Sequence, residues 1–290
     1  MSARDEPPYD LDIFDPDDVA DLVVELTSRL FARVNEQSIR QVFRHTEDLF
    51  QGRKAGFQAA DTSYHNLEHT MRATVCWARL FEGYTGARDD PALGFSHFRK
   101  GLVAILMHDT GFLKREMDVV GTGAKYADIH ERRSCEMAER WLARAGWTRE
   151  DIRAVRCIIC CTGVDADLGA IPFADRAERL IGQMVCTADY LGQMSDPAYI
   201  EKLPELFLEI EESDEFRGIP PEHRLFRSVN DLITKTPAFW THHVRHKLDD
   251  ACGGVYRYLA RPWPDGPNPY MDRIRESLDR IGNGSVVDAT

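Results

Sequence analysis

Apolar and polar positions repeat with a helical period along most of this chain, and period-two alternation is nearly absent. Between residues 19 and 34, Leu22, Leu26, Leu30 and Val34 fall four apart on one helical face, behind Asp17 and Asp18. That spacing predicts a helix over the run, and a second is expected over 38–51. The stretch Asp61-Thr-Ser-Tyr-His-Asn is turn-rich, and Asn66 reads as the N-cap of a helix reaching about Tyr84. A Gly/Asp/Pro loop covers 83–91. The apolar run Gly101-Leu-Val-Ala-Ile-Leu-Met, counted back to Phe95, has the length of a buried helix rather than of a strand. Residues 110–127 contain several glycines and read as a loop with some helix. Further helices are expected at 128–145, 148–163, 175–192, 196–212, 222–235 and 237–260, with Pro237 and the prolines from 262 to 269 as punctuation. The predicted fold class is all-α, a helical bundle with additional C-terminal helices. Residues 1–16, with three prolines and five acids, read as an extended acidic arm. A helical domain is expected over 17–262, and a tail with a short helix over 263–290.

Composition narrows the partners. No apolar run approaches the ~20 residues that span a bilayer, so no membrane is expected. The polar, acidic start lacks a secretory pattern, and seven cysteines without such a leader read as reduced thiols, which makes the expected location cytoplasmic. A net charge of -12 repels polyanions and argues against long nucleic acid as a partner. A small anionic substrate stays open, because a bound dication inverts the local field of a pocket. Oligomeric state is left open, a homodimer included.

The candidate chemistry lies in three separated segments. His108-Asp109 closes the apolar run, where a buried polar pair needs a partner or a metal. Upstream, in Tyr64-His65-Asn66-Leu67-Glu68-His69, His65 and His69 stand four apart. Downstream, Asp189 is one acid in the otherwise apolar Thr187-Ala188-Asp189-Tyr190-Leu191. Imidazoles and carboxylates form a mixed nitrogen–oxygen ligand set, suited to Zn, Mn, Fe or Mg. One or two divalent metal ions are therefore the expected cofactor. A carboxylate such as Asp109 can bridge two metals ~3.5–4 Å apart.

The order His, His-Asp, Asp resembles the HD superfamily of metal-dependent phosphohydrolases. The Tyr64–His69 segment is similar to the Tyr-His-Asn-x-x-His signature of class I cyclic nucleotide phosphodiesterases. The resemblance covers roughly residues 60–195. It implies an HD-type helical bundle and a phosphohydrolase acting on a small phosphorylated substrate such as a nucleotide. It further implies that His69, His108, Asp109 and Asp189 ligate the tighter metal and that Asp109 bridges to a second. His65 would be the general acid that protonates the leaving oxygen. His130 falls where many members place another site histidine, and Thr162 where a threonine often bonds metal-bound water. After the His-Asp pair the phosphodiesterases usually carry another histidine three residues on; here that position is Phe112. Lys114, Arg115, Lys125 and Arg133 are candidate phosphate cations.

Two other readings belong to different classes: a di-iron oxygenase on the same fold, and a nucleotide-binding sensor without catalysis. Cys157, Cys160 and Cys161 lie in an apolar run without a second cysteine pair and read as small buried thiols. His242, His243 and His246 read as one solvated helix face.

Overall fold

A computed structural model describes residues 13–284. Among the described residues it contains ten α-helices and no strand; a lone bridge pairs Phe57 with Arg115. The all-α expectation holds. The helices are α1 (Pro16–Leu30), α2 (Glu36–Phe50), α3 (Leu67–Ala87), α4 (Phe95–Met107), α5 (His130–Arg144), α6 (Arg149–Ile159), α7 (Arg176–Met194), α8 (Tyr199–Phe216), α9 (Val229–Phe239) and α10 (Pro269–Gly282). Among the described residues no helix is long and apolar enough to cross a membrane.

Local chemistry explains most boundaries. Asp15 caps α1 by accepting from the Asp17 and Asp18 amides, with Pro16 at the first helical position. Asn66 caps α3 as expected, accepting from the His69 amide at 3.0 Å. Helix α1 stops at Leu30, four residues before the end of the predicted run, because Phe31 is extended and Asn35 caps α2. Its buried face is Val19, Val23 and Leu26 rather than the stripe through Leu30 and Val34. Helix α6 stops at Ile159 and leaves Cys160 to Thr162 in a turn. The stretch expected as one helix over 237–260 continues α9 through two wider π-type segments, Trp240–Val244 and Lys247–Ala251, and ends in a 3-10 turn, Val255–Leu259.

Helices α3 and α7 run against each other at the centre. Trp77, Leu80 and Phe81 of α3 and Met184, Val185 and Leu191 of α7 are fully or almost fully buried. The seam is tight at one point: a Cβ on Gly192 would meet the Ala73 backbone, 2.7 Å from its Cα. Only a residue without a side chain allows that approach. The terminal helix α10 adds Tyr270, Met271 and Ile274 to the same core. The proposed acidic arm lies mostly outside the described residues, which begin at Ile13.

Candidate metal centre

Three helices deliver the site, each by a local device. On α3, the Asn66 cap fixes the first turn, which carries His69. On α7, Asp189 sits one turn before Gly192, and His69 sits one turn before Ala73. The close Gly192–Ala73 approach therefore brings His69 and Asp189 face to face, with Nε2 3.2 Å from Oδ1. Helix α4 is buried to its end and releases the chain at His108 and Asp109. A 3-10 turn, Thr110–Phe112, follows. That turn is pressed against α5. A Cβ on Gly111 would lie 1.9 Å from the His130 carbonyl oxygen. The Ser134 hydroxyl accepts from the Gly111 amide at 2.8 Å and donates to the His108 carbonyl.

Three donor atoms converge inside this frame, and a fourth, from Asp189, lies against the two imidazoles. His69 Nε2 and His108 Nε2 are 3.3 Å apart. Each also reaches both carboxylates: 3.1 and 3.2 Å to Asp109 Oδ2, and 3.2 and 3.3 Å to Asp189 Oδ1. All four residues are buried. Donors ~2.0–2.2 Å from one centre lie about 3.0–3.5 Å from one another at ordinary coordination angles. The observed separations match that spacing. Asp109 Oδ2 is enclosed and receives no directed hydrogen bond, an unsatisfied acceptor of the kind a cation would satisfy. His108 Nδ1 donates to the Ile105 carbonyl at 2.7 Å, which turns Nε2 into the cluster, the orientation of a metal ligand. The group His69, His108 and Asp109 could hold a metal ion, and Asp189 Oδ1 lies within 3.3 Å of both imidazoles.

The electrostatics agree. Burial opposes charge on His69, but the Asp109 and Asp189 carboxylates outweigh it and lift its pKa to about 9. The same two carboxylates, against the same burial, hold His108 well above the usual histidine range. Burial would raise the two aspartates, yet the imidazoles hold both below the ordinary carboxylate range. The cluster favours positive charge at its centre.

The expected residues around this group take different places. The second Asp109 oxygen, Oδ1, faces away from the pair toward His130 Nε2, 3.6 Å off. His130 Nδ1 donates to the Ala127 carbonyl at 2.6 Å, so Nε2 is the nitrogen turned toward Asp109. His65 lies on the other side, with Nδ1 2.6 Å from Glu209 Oε2. The other Glu209 oxygen accepts from the Tyr64 and His65 amides at 2.6 and 3.3 Å. Against the cost of burial, Glu209 holds the His65 pKa above its ordinary value. Phe112 stacks between His65 and His130, with centroids 4.6 and 4.5 Å away. The Thr162 hydroxyl donates to its own turn, to the Ile159 carbonyl at 2.9 Å.

The four candidate phosphate cations staple the 113–127 loop. Lys114 holds Asp61 and the Gly121 carbonyl at 2.8 and 2.6 Å. Lys125 holds Asp118 at 2.5 Å and also the Val120 carbonyl. Arg133 donates to the Gly111 and Leu113 carbonyls, and Arg115 lies over the Phe57 ring. His242, His243 and His246 do not converge. His246 pairs with Asp250 on the surface, and His243 meets the Val164 carbonyl. Cys157 and Cys161 are buried, but Cys160, expected with them, is exposed beyond the end of α6.

Sequence reasoning passed over Glu209 and Ser134. Glu209 carried a usable signal, an acid set among Phe207, Leu208 and Ile210, which is the same pattern that marks Asp189. Ser134 carried none.

A family model described as Npun_R2479-like matches residues 173–259, less than half of the chain. That stretch includes Asp189 and Glu209. No curated protein matches the chain.

Proposed function

We propose that this chain is a metal-dependent phosphohydrolase that cleaves a phosphoester or phosphodiester bond of a nucleotide or related small metabolite. The observation that carries the reading is the convergence of His69, His108 and Asp109 at mutual distances of coordination size, with Asp189 against both imidazoles and a protonatable histidine beside them. Those four side chains would hold the tighter ion, and Asp109 Oδ1 with His130 would face a second. The ions' contribution is to acidify bound water and to neutralise phosphoryl oxygens.

The chain's own residues supply the remainder. Glu209 accepts from His65 Nδ1, which fixes the imidazole's orientation and favours its protonated form. His65 Nε2 then carries the proton that a departing alkoxide needs, the role of a general acid. Phe112 lies flat against the ring and limits it to motion in its own plane. Ser134 holds the His108–Gly111 turn, so that Asp109 keeps one oxygen on each side.

Elemental analysis of protein purified without chelators, followed by a phosphodiester and nucleotide panel with added Mn, Fe, Zn or Mg, tests the proposal. Turnover that requires metal and disappears in His108→Ala is expected. A fully metal-loaded, folded protein that turns over nothing on the panel would overturn it.

A further inference from the structure

Of the seven cysteines, Cys160 alone among the described residues is exposed. It follows the last turn of α6, and its sulfur lies 3.7 Å from that of Cys135, one turn into α5 and buried. Cys135 also lies 3.4 Å from the Arg156 carbonyl, which holds its thiol toward α6. The two sulfurs are thus already side by side across the α5–α6 interface, and a disulfide would require them to close to about 2.05 Å. The other cysteines lack this combination. Cys186 and Cys252 neighbour each other but are fully enclosed. Cys161 is buried and bonded to the Cys157 carbonyl, and Cys157 lies against Arg153 and the Pro172 carbonyl.

We propose that Cys160 and Cys135 form a peroxide-sensitive thiol pair, with Cys160 as the attacking sulfur and Cys135 as the resolving one. In the first step the Cys160 thiolate attacks one oxygen of a hydroperoxide. The O–O bond breaks, a sulfenic acid forms, and the departing hydroxide leaves as water after taking a proton. In the second step the Cys135 sulfur attacks the Cys160 sulfur. The S–S bond forms, the S–O bond breaks, and the oxygen leaves as a second water with the Cys135 proton. Two thiols are oxidised by two electrons and one peroxide is reduced. The local charges favour the assignment of roles. The hydrogen bond with Cys135 brings the Cys160 thiol down to about 7, against burial and the Glu131 carboxylate, with help from Arg156. The same contact, together with burial, pushes the Cys135 thiol up.

The pair sits beside the metal centre's frame. Cys135 follows Ser134, the clamp on the His108–Gly111 turn, and shares α5 with His130. A disulfide here ties the helix that braces the turn to its neighbour.

The test uses the full-length protein treated with hydrogen peroxide in small molar excess, then alkylated under denaturing conditions and mapped by mass spectrometry. The expected result is loss of two alkylatable thiols per chain, a Cys135–Cys160 cross-linked peptide and full reversal by dithiothreitol. Cys160 is expected to react at least ~10-fold faster than the enclosed Cys186 or Cys252. In Cys135→Ala, Cys160 stops at the sulfenic acid and is captured by a 1,3-dione probe. Peptide maps of the wild-type protein that show Cys160 unmodified, or oxidised while Cys135 stays fully alkylatable, would overturn the proposal without reference to any variant.

Discussion

Two histidines in this molecule lose water on folding and move in opposite directions. His45, on α2, stacks flat against Trp141 of α5 with ring centroids 4.5 Å apart. Burial, and then the charge of Lys54, lower its pKa to about 4. His69, on α3, is more deeply buried but faces Asp109 and Asp189, and its pKa rises to about 9. An enclosed imidazole is not in itself a ligand. The carboxylates decide, because they make the space in front of His69 favourable for a positive charge, whether a proton or a metal ion. The same contrast separates the buried cluster from the surface pair His246–Asp250. That pair is closer, at 2.6 Å, but both side chains are mostly exposed and solvent screens the interaction.

The sharpest way to break the comparison is to remove a carboxylate. Asp189→Ala takes from His69 and His108 one of the two carboxylates they face. Metal retention after gel filtration is expected to fall at least ~100-fold, beyond the 10–100-fold typical of losing a supporting partner. Unchanged metal content would show that Asp189 is not a ligand. Next in size is Gly192→Ala, which forces a Cβ into the Ala73 backbone and spreads α3 from α7. About 1–3 kcal/mol of stability should be lost in urea, together with weakened metal binding. A loss of stability with binding intact would separate the seam from the site.

A smaller effect is expected for Glu209→Gln. The carboxamide keeps the amide contacts but no longer favours the His65 cation. We expect kcat to fall about tenfold on an active phosphodiester, with metal content and KM nearly unchanged.

The smallest expected effect is the pH dependence of stability, where the two histidines should pull apart. The folded pKa of His45 lies below its unfolded value. Stability tied to it is present above about 6.5 and lost as pH falls toward 4. His45→Phe, which keeps the stack on Trp141, should remove on the order of 1–2 kcal/mol of that acid sensitivity. The folded pKa of His69 lies above its unfolded value. In chelator-treated protein its contribution is complete below 6.5 and lost as pH rises through about 9. Urea midpoints of metal-free protein from pH 4 to 9 would check both limbs. A flat alkaline limb would contradict the charge assigned to His69.

Much of this was legible in the chain because it is local. The Asn66 cap, the apolar helix ending at His108 and the isolated acid at Asp189 are each marked by immediate neighbours. What was not legible depends on distant pairing. Nothing near His65 announces Glu209, which lies 144 residues away. Gly192 reads as an ordinary helix weakness until Ala73 is seen against it. The ends of α1 and α6 fell short of their apolar runs because an apolar run continues through a turn whose residues are still partly covered, and its spacing does not say where the backbone leaves the helix. The exposure of Cys160 follows from that early end of α6.

The ring of Phe112 has a mechanical consequence. Lying between His65 and His130, it leaves neither imidazole free to tip without pushing on the other through a flat hydrocarbon spacer. The two imidazoles behave as leaves of one stack, so a change of tilt forced on either is transmitted across about nine ångströms of packed rings without any polar link between them. Substituting leucine for Phe112 would uncouple the leaves while preserving the apolar filling.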